Sequence, residues 1–376
     1  EGSTKSNFVT KLSLDPEAFT APYFRVALPK TNKALEITFD NSNAAFSGVL
    51  TRPTSIAPGV EVYGLQKVWT KTRSAAAYAG RHNYAIRNPY TTLGPQGFGY
   101  GSYTITGSTG GYVLAGKMAD GSTITGSGFV GAAGQVFVYQ PLYASRGSVM
   151  GFQQIQLGLT LAEGTLSGGL EWFKPAPASA KSTDLIYRDG FGPLMLTCVG
   201  GHYAAPASGQ LVMGLRTVPV GTANAEVLFQ RGGLEAELAD FQTPLRIYST
   251  ALNSQRDSSP KNGIFLGFFD RQSLLSSLPP MIFTGATPLA PNLEKMRITR
   301  FDVNTGLFTG SFIRPAQGTV PARTVTFEGQ ISYDEAADRE LGHGYFLMPQ
   351  IPVPPQKIST SPRLSGSVRI VPAGSP

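Results

Sequence analysis

Three histidines, His82, His202 and His343, are the only side chains here whose ordinary titration falls near neutral pH. Each closely follows a glycine and precedes a tyrosine by one or two residues, in "GRHNY", "GHY" and "GHGY". A metal centre needs histidines that converge with carboxylates, and neither H-x-H nor H-E-x-x-H spacing occurs. Their shared setting reads as equivalent strand starts in two related domains. Glycosidase chemistry needs paired carboxylates that distant strands bring together. The candidates are Asp184 and Asp189, which flank "LIYR", and Glu171 in "LEWF"; turn formation and solvation are the plainer roles for them. "DEAADRE", residues 334–340, mixes both signs and reads as a solvated hairpin tip. "DNSN", residues 40–43, offers oxygen ligands for calcium but lacks the glycine and distal glutamate of an EF loop, so it reads as a β-turn. No G-x-S-x-G elbow is present. Cys198 lies in the apolar run "PLMLTCVGG" and reads as a small buried hydrophobe. The expectation is no catalytic, cofactor-binding or metal-ligating set.

Two glycine patterns imitate nucleotide sites. Gly111-x4-Gly116-Lys117 is one residue short of a P-loop, because Met118 stands where a magnesium-binding Ser or Thr is required. Gly126-x-Gly128-x-x-Gly131 satisfies the dinucleotide fingerprint, yet "AAGQVFVYQ" follows it where a helix should begin. Alternation in "GYVLAGKM", the turn signal Asp120-Gly121 and the return "TITGSGFV" predict a β-hairpin instead.

The elements that must position any site are strands. Charged residues are 15% of the 376, well under the usual share, while 44 Gly and 28 Pro favour short strands and tight turns over long helices. No run of apolar residues is long enough for a membrane-spanning helix. One cysteine excludes a disulfide framework and a cysteine-based zinc site, and is compatible with export. The chain opens at Glu1, which reads as a mature product whose export signal has been removed. No Asn-x-Ser/Thr acceptor occurs. Net charge is +7, but the basic residues form no runs. Between 62 and 119, Lys67, Lys71, Arg73, Arg81, Arg87 and Lys117 meet no acidic residue; strand alternation scatters them as a solvated face rather than a nucleic-acid track.

Residues 1–33 read as an extended arm with one or two short strands, 34–174 as a first β-domain, 175–190 as a linker and 191–376 as a second β-domain, irregular near 235–295. The halves share an ordered series: "ITFDNSNAAFSGVLTRP" against "ITRFDVNTGLFTGSFIRP", then "VYGLQ" against "FEGQI" and "AGRHNY" against "LGHGYF". At one offset Phe39 meets Phe301, Phe46 meets Phe308 and Gly48 meets Gly310. The fold expected is all-β, with two related antiparallel meander domains, each a curled barrel or sandwich, behind the arm.

The stretch from 98 to 152 resembles a repeated β-rich module of large predicted bacterial cell-surface or secreted proteins. The matching residues are 99–104 ("GYGSYT"), 116–122 ("GKMADGS") and 141–151 ("PLYASRGSVMG"), with "SGGLEWFKP" and "FTGSFIRP" as later parts. Met118 takes a position where leucine is more usual. That family has no established activity, so the resemblance implies a surface-exposed β-module and no chemistry.

Together these features lead us to expect an extracellular, non-enzymatic structural protein. It would bind copies of itself, through strand addition by the arm, into a filament, sheath or layer. The alternative is an adhesive module whose partner is a surface polysaccharide. Tyr100, Tyr103, Tyr112, Tyr139 and Tyr143 are expected in the core or on sheet faces rather than as a glycan platform. No cofactor, nucleic acid or membrane span is expected.

Overall fold

The computed structural model describes residues 23–28, 33–40, 44–51, 59–159, 164–177, 184–207, 210–216, 218, 223–234, 241–245, 247, 295–318, 320–352 and 357–374. Residues 178–183 of the expected linker, most of the expected irregular region and residues 41–43 of "DNSN" lie outside this set. The described chain is almost entirely antiparallel β, in three sheets.

The first sheet is a four-stranded meander of β1 (Tyr23–Leu28), β2 (Lys33–Asp40), β3 (Ala45–Thr51) and β4 (Val60–Leu65), paired in that order. Part of the segment read as an arm is therefore already a strand paired within its own chain.

The second sheet has eight strands. β5 (Gly80–Arg87), β6 (Gly99–Ile105), β7 (Gly111–Lys117) and β8 (Thr123–Phe129) form one meander. β9 (Gln135–Leu142), β10 (Gly147–Gln156), β11 (Thr165–Lys174) and β12 (Phe191–Tyr203) form another. Pairing of β5 with β12 joins them in the order β8-β7-β6-β5-β12-β11-β10-β9, so residues 191–203 belong to this sheet. The sheet curls until its edges nearly meet. Tyr112 Oη on β7 donates to the Phe137 carbonyl on β9 at 2.8 Å. Curling brings the two edge strands β8 and β9 near one another without pairing them, which shelters edges that would otherwise invite another chain.

Period-two alternation fills the barrel. On β9, Val136 and Val138 point inward while Tyr139 is 61% exposed; on β10, Val149, Gln153 and Ile155 point inward. Trp172, Tyr84 and Tyr103 are buried there, and full burial of such a side chain stabilises by about 1.5–3 kcal/mol. Trp172 also satisfies its polar edge: Nε1 donates to Tyr143 Oη at 3.1 Å.

The third sheet is a curled half-barrel of β13 (Ala225–Arg231), β14 (Phe241–Leu245), β15 (Arg297–Asp302), β16 (Leu307–Arg314), β17 (Arg323–Asp334), β18 (Arg339–Pro349) and β19 (Arg363–Pro372). Its order is β14-β13-β19-β18-β17-β16-β15. Phenylalanine dominates its interior: Phe229, Phe301, Phe308, Phe312, Phe327 and Phe346 are buried in one cluster, and Phe229 meets Phe312 with ring centroids 4.8 Å apart.

Glycines inside strands make room for rings. Phe308 lies opposite Gly329, Phe327 opposite Gly310 and Phe346 opposite Gly366. A Cβ at Gly329 would meet Phe308 Cζ at 2.4 Å. The same device occurs at Tyr84 and Gly101 in the barrel and at Phe46 and Gly64 in the small sheet. Each ring covers a strand position that has no side chain of its own.

The two segments matched in sequence share their pairing at the aromatic positions, up to a register shift on β15 that β2 lacks. Phe39 pairs Phe46, which pairs Gly64; Phe301 pairs Phe308, which pairs Gly329. The correspondence stops after three strands, because β17 goes on to pair β18 whereas β4 does not pair β5.

Candidate functional site

The residues that imitated a nucleotide site are β7, a turn and β8. Gly121, with φ of 87°, closes the turn, and Met118 N donates to the Ser122 carbonyl at 2.8 Å. No helix follows Lys117 or Gly131; Gly126 and Gly128 lie inside β8, and Gly131 begins a turn into β9. Phosphate therefore meets no helix N-terminus at this place.

What the hairpin does instead is carry Lys117 and Asp120 to the seam between the barrel and the half-barrel. The outer face of β5, β6 and β12 packs on the outer face of β17 and β18. Asn83 donates through Nδ2 to the Ile331 carbonyl at 2.8 Å and the Thr305 carbonyl at 3.0 Å. Phe98 N donates to the Gly344 carbonyl at 3.1 Å, and Ser365 Oγ to the Ala119 carbonyl at 2.5 Å. These bonds satisfy main-chain groups that outward sheet faces and loops would otherwise leave for water.

The seam has a sealed part and an open part. In the sealed part Arg87 Nη2 lies 2.5 Å from Asp334 Oδ2, and His343 Nε2 lies 3.1 Å from the same oxygen. Ser332 Oγ is 3.0 Å from His343 Nδ1. Arg87 Nη2 also lies 3.2 Å from His343 Nε2, so both the carboxylate and the guanidinium face this ring nitrogen. Burial pushes His343 down to about 4, while the bond from His343 and the Arg87 charge hold Asp334 well below the usual carboxylate range. Serine, histidine and aspartate here have the side-chain types of a hydrolase triad, but Ser332 is 1% and His343 0% exposed, so neither presents a surface to a substrate.

The open part is a cleft of about 560 Å³. Its floor is one cross-strand row on the half-barrel's outer face: Thr309 on β16 pairs Glu328 on β17, which pairs Tyr345 on β18. On β15 a register shift between Ile298 and Arg300 inserts Thr299, whose hydroxyl lies 3.1 Å from that of Thr309. Bulges of this kind re-aim side chains. Lys117, Asp120 and Gly121 form the facing wall with Ile186. Lys117 Nζ donates to both oxygens of Glu328, at 2.7 and 2.8 Å. Tyr100 Oη donates to Oε2 at 3.2 Å and Tyr345 Oη to Oε1. Burial, and then the Glu328 charge, push both phenols well above their usual range. Asp120 accepts from Tyr143 Oη at 2.6 Å and from Ser122 N at 2.9 Å.

The other sequence candidates are dispersed. His82 and His202 pair across β5 and β12 with ring centroids 5.4 Å apart; His343 lies in the other sheet. They are not equivalent strand starts, since His202 is the penultimate residue of β12 and His343 lies inside β18. Burial pushes His82 down to about 4, and its Nε2 lies 3.0 Å from the Tyr78 carbonyl. Among the described residues no three His, Cys, Asp or Glu side chains converge to hold a metal. Asp184 caps a turn through Ile186 N at 3.0 Å and pairs with buried Lys174 at 2.8 Å. Glu171 lies between Met150 and Met195 in the sheet register. Burial pushes the Cys198 thiol up to about 12. Of the tyrosines weighed as a platform, Tyr100, Tyr103 and Tyr112 are buried and Tyr139 is exposed.

Two expectations need correction. Asp334 is not part of a solvated tip: only residues 335–339 are exposed, and Asp334 is buried against Arg87 and His343. The basic stretch 62–119 is not wholly a solvated face, because Arg87 and Lys117 reach Asp334 and Glu328. Sequence reading missed Glu328, Tyr345 and Thr309; Glu328 takes Lys117 and Tyr100 as partners from more than two hundred residues away, and the one available signal was a run of bases with no local acids. No helix among the described residues is long and apolar enough to cross a membrane. Comparison with protein-family models and with curated proteins finds no match.

Proposed function

We propose that this chain is a non-enzymatic structural module of the bacterial cell surface that assembles with copies of itself by strand addition. The observation that carries the reading is the open edge of β4. Among the described residues β4 pairs only with β3, and Val60 and Tyr63 on it are 65% and 60% exposed. An apolar edge of this kind is a template for another strand. The matching meander β15–β17 indicates what belongs there, since β17, the counterpart of β4, is flanked by β18. The shared aromatic pairing supports descent of the two segments from one repeated module, and the resemblance in residues 99–151 supports the surface location.

β1 is already paired with β2, so the part of the arm left as candidate donor is residues 1–22, which lie outside the described residues. Deleting residues 1–22 should leave a folded monomer that no longer polymerises, read by sedimentation and negative-stain microscopy at high concentration. Unchanged assembly of the truncated protein rules out the arm as donor. A second reading, adhesion to a surface polysaccharide, is favoured by the hydroxyl-lined cleft at the seam.

A further inference from the structure

We infer that the seam cleft binds a neutral saccharide, an inference that rests on the second reading above and not on self-association. The cleft volume of about 560 Å³ lies within the usual range for ligand sites, and the join between two packed bodies is a usual place for them. Its chemistry selects the ligand class. Glu328 accepts four hydrogen bonds, two from Lys117 and one each from Tyr100 and Tyr345, which fills the lone-pair capacity of a carboxylate. Lys117 is held by both carboxylate oxygens, so the pair brings no net charge to the cleft. A phosphate or uronate would have to break that pair to gain a cation, and the Asp120 carboxylate on the same wall would oppose it.

What remains to bind a ligand is largely uncharged. Thr299, Thr309 and Thr326 present hydroxyls from three adjacent strands; Thr299 and Thr309 spend one bond on each other and keep acceptor capacity for a ligand. Sugar hydroxyls both donate and accept. Lys117 retains a third N–H after its two bonds to Glu328. Leu347, two residues beyond Tyr345 on β18, adds an apolar surface for the C–H face of a pyranose ring. The bulge at Thr299 turns an edge strand toward this row, which gives the departure from regular pairing a use.

The test is calorimetric titration of the full chain with cellotetraose, maltotetraose and chitotetraose, and with tetragalacturonate as the charged comparison. Thr326→Trp fills the cleft from an exposed strand position and leaves the Lys117–Glu328 pair in place. Thr324→Trp puts the same bulk on the same face of β17, outside the cleft lining. The expected result is binding of at least one neutral probe, weakened at least tenfold by Thr326→Trp and unchanged by Thr324→Trp. Equal loss in both variants, full affinity in Thr326→Trp, or stronger binding of tetragalacturonate each overturns the inference. Retention of wild type and Thr326→Trp alike on an immobilised polysaccharide overturns the cleft while the adhesion reading stands. Wild type that neither binds a probe nor is retained overturns both.

Discussion

Asp334 illustrates how a residue that looks solvated in sequence becomes a buried, fully engaged carboxylate at the seam. One of its oxygens takes the Arg87 guanidinium and the His343 ring, while the other accepts from Ala336 N at 3.0 Å and Ala337 N at 3.3 Å. The carboxylate thus ties the barrel to the half-barrel and shapes the β17–β18 turn together. Removing one partner of a buried ionic set leaves the others uncompensated, which costs about 3–5 kcal/mol. Asp334→Ala should therefore lower unfolding free energy in urea by about that amount. Glu335→Ala, one residue along on the exposed tip, should stay within about 0.5 kcal/mol of wild type. Similar costs for the two variants would mean that the Arg87–Asp334–His343 set is energetically idle.

For the strands, glycine placement is the controlling feature, and it separates two uses that composition alone merges. Gly126 on β8 is exposed, and an added Cβ there would meet only ordinary contacts, the nearest at 3.8 Å. Gly329 on β17 faces the Phe308 ring and the His343 carbonyl, both at 2.4 Å from a built Cβ. Gly329→Ala should cost about 1–3 kcal/mol through overpacking, and Gly126→Ala should change stability by less than about 0.5 kcal/mol. Combining Phe308→Leu with Gly329→Ala should cost less than the two changes summed, with a coupling of about 0.5–3 kcal/mol. Strict additivity would show that ring and glycine do not share space. The hairpins themselves were legible from turn chemistry: Asp120-Gly121 between two alternating runs required nothing else. Glycines beneath rings were not, since the ring that covers Gly329 comes from a different strand. The pairing of β5 with β12 was equally hidden, because it joins Cys198 to Ile86 across more than a hundred residues and no local pattern encodes that choice. Of the candidate site, Lys117 and Asp120 were visible only as parts of a turn. Glu328, 211 residues from Lys117, became the partner of that lysine only once two sheets had folded.

Considered as one molecule, the packed sheets fix its response to acid, and the sign follows from which groups change their proton affinity on folding. His82 and His343 are pushed down to about 4 by burial, and His202 is also lowered. The ordinary histidine value is about 6.5, so below that pH the unfolded chain takes up protons that the folded chain refuses. This contribution is complete above about 6.5 and is lost as pH falls toward 4. Asp334, depressed by His343 and Arg87, loses its contribution only below the ordinary carboxylate range. Glu340 works in the opposite sense. Burial raises it to about 7, so the folded chain holds its proton between its ordinary value and 7 while the unfolded chain has released it. Two or more histidines against one glutamate leave the unfolded state with the larger proton uptake between about pH 4.5 and 6.5. Stability should therefore fall on acidification across that window, by roughly 1.4 kcal/mol per pH unit for each proton of difference. His343→Gln should flatten the slope and Glu340→Gln should steepen it, both measured as urea midpoints from pH 4.5 to 7. If both substitutions move the slope in the same direction, proton linkage at these groups is not what governs the acid response.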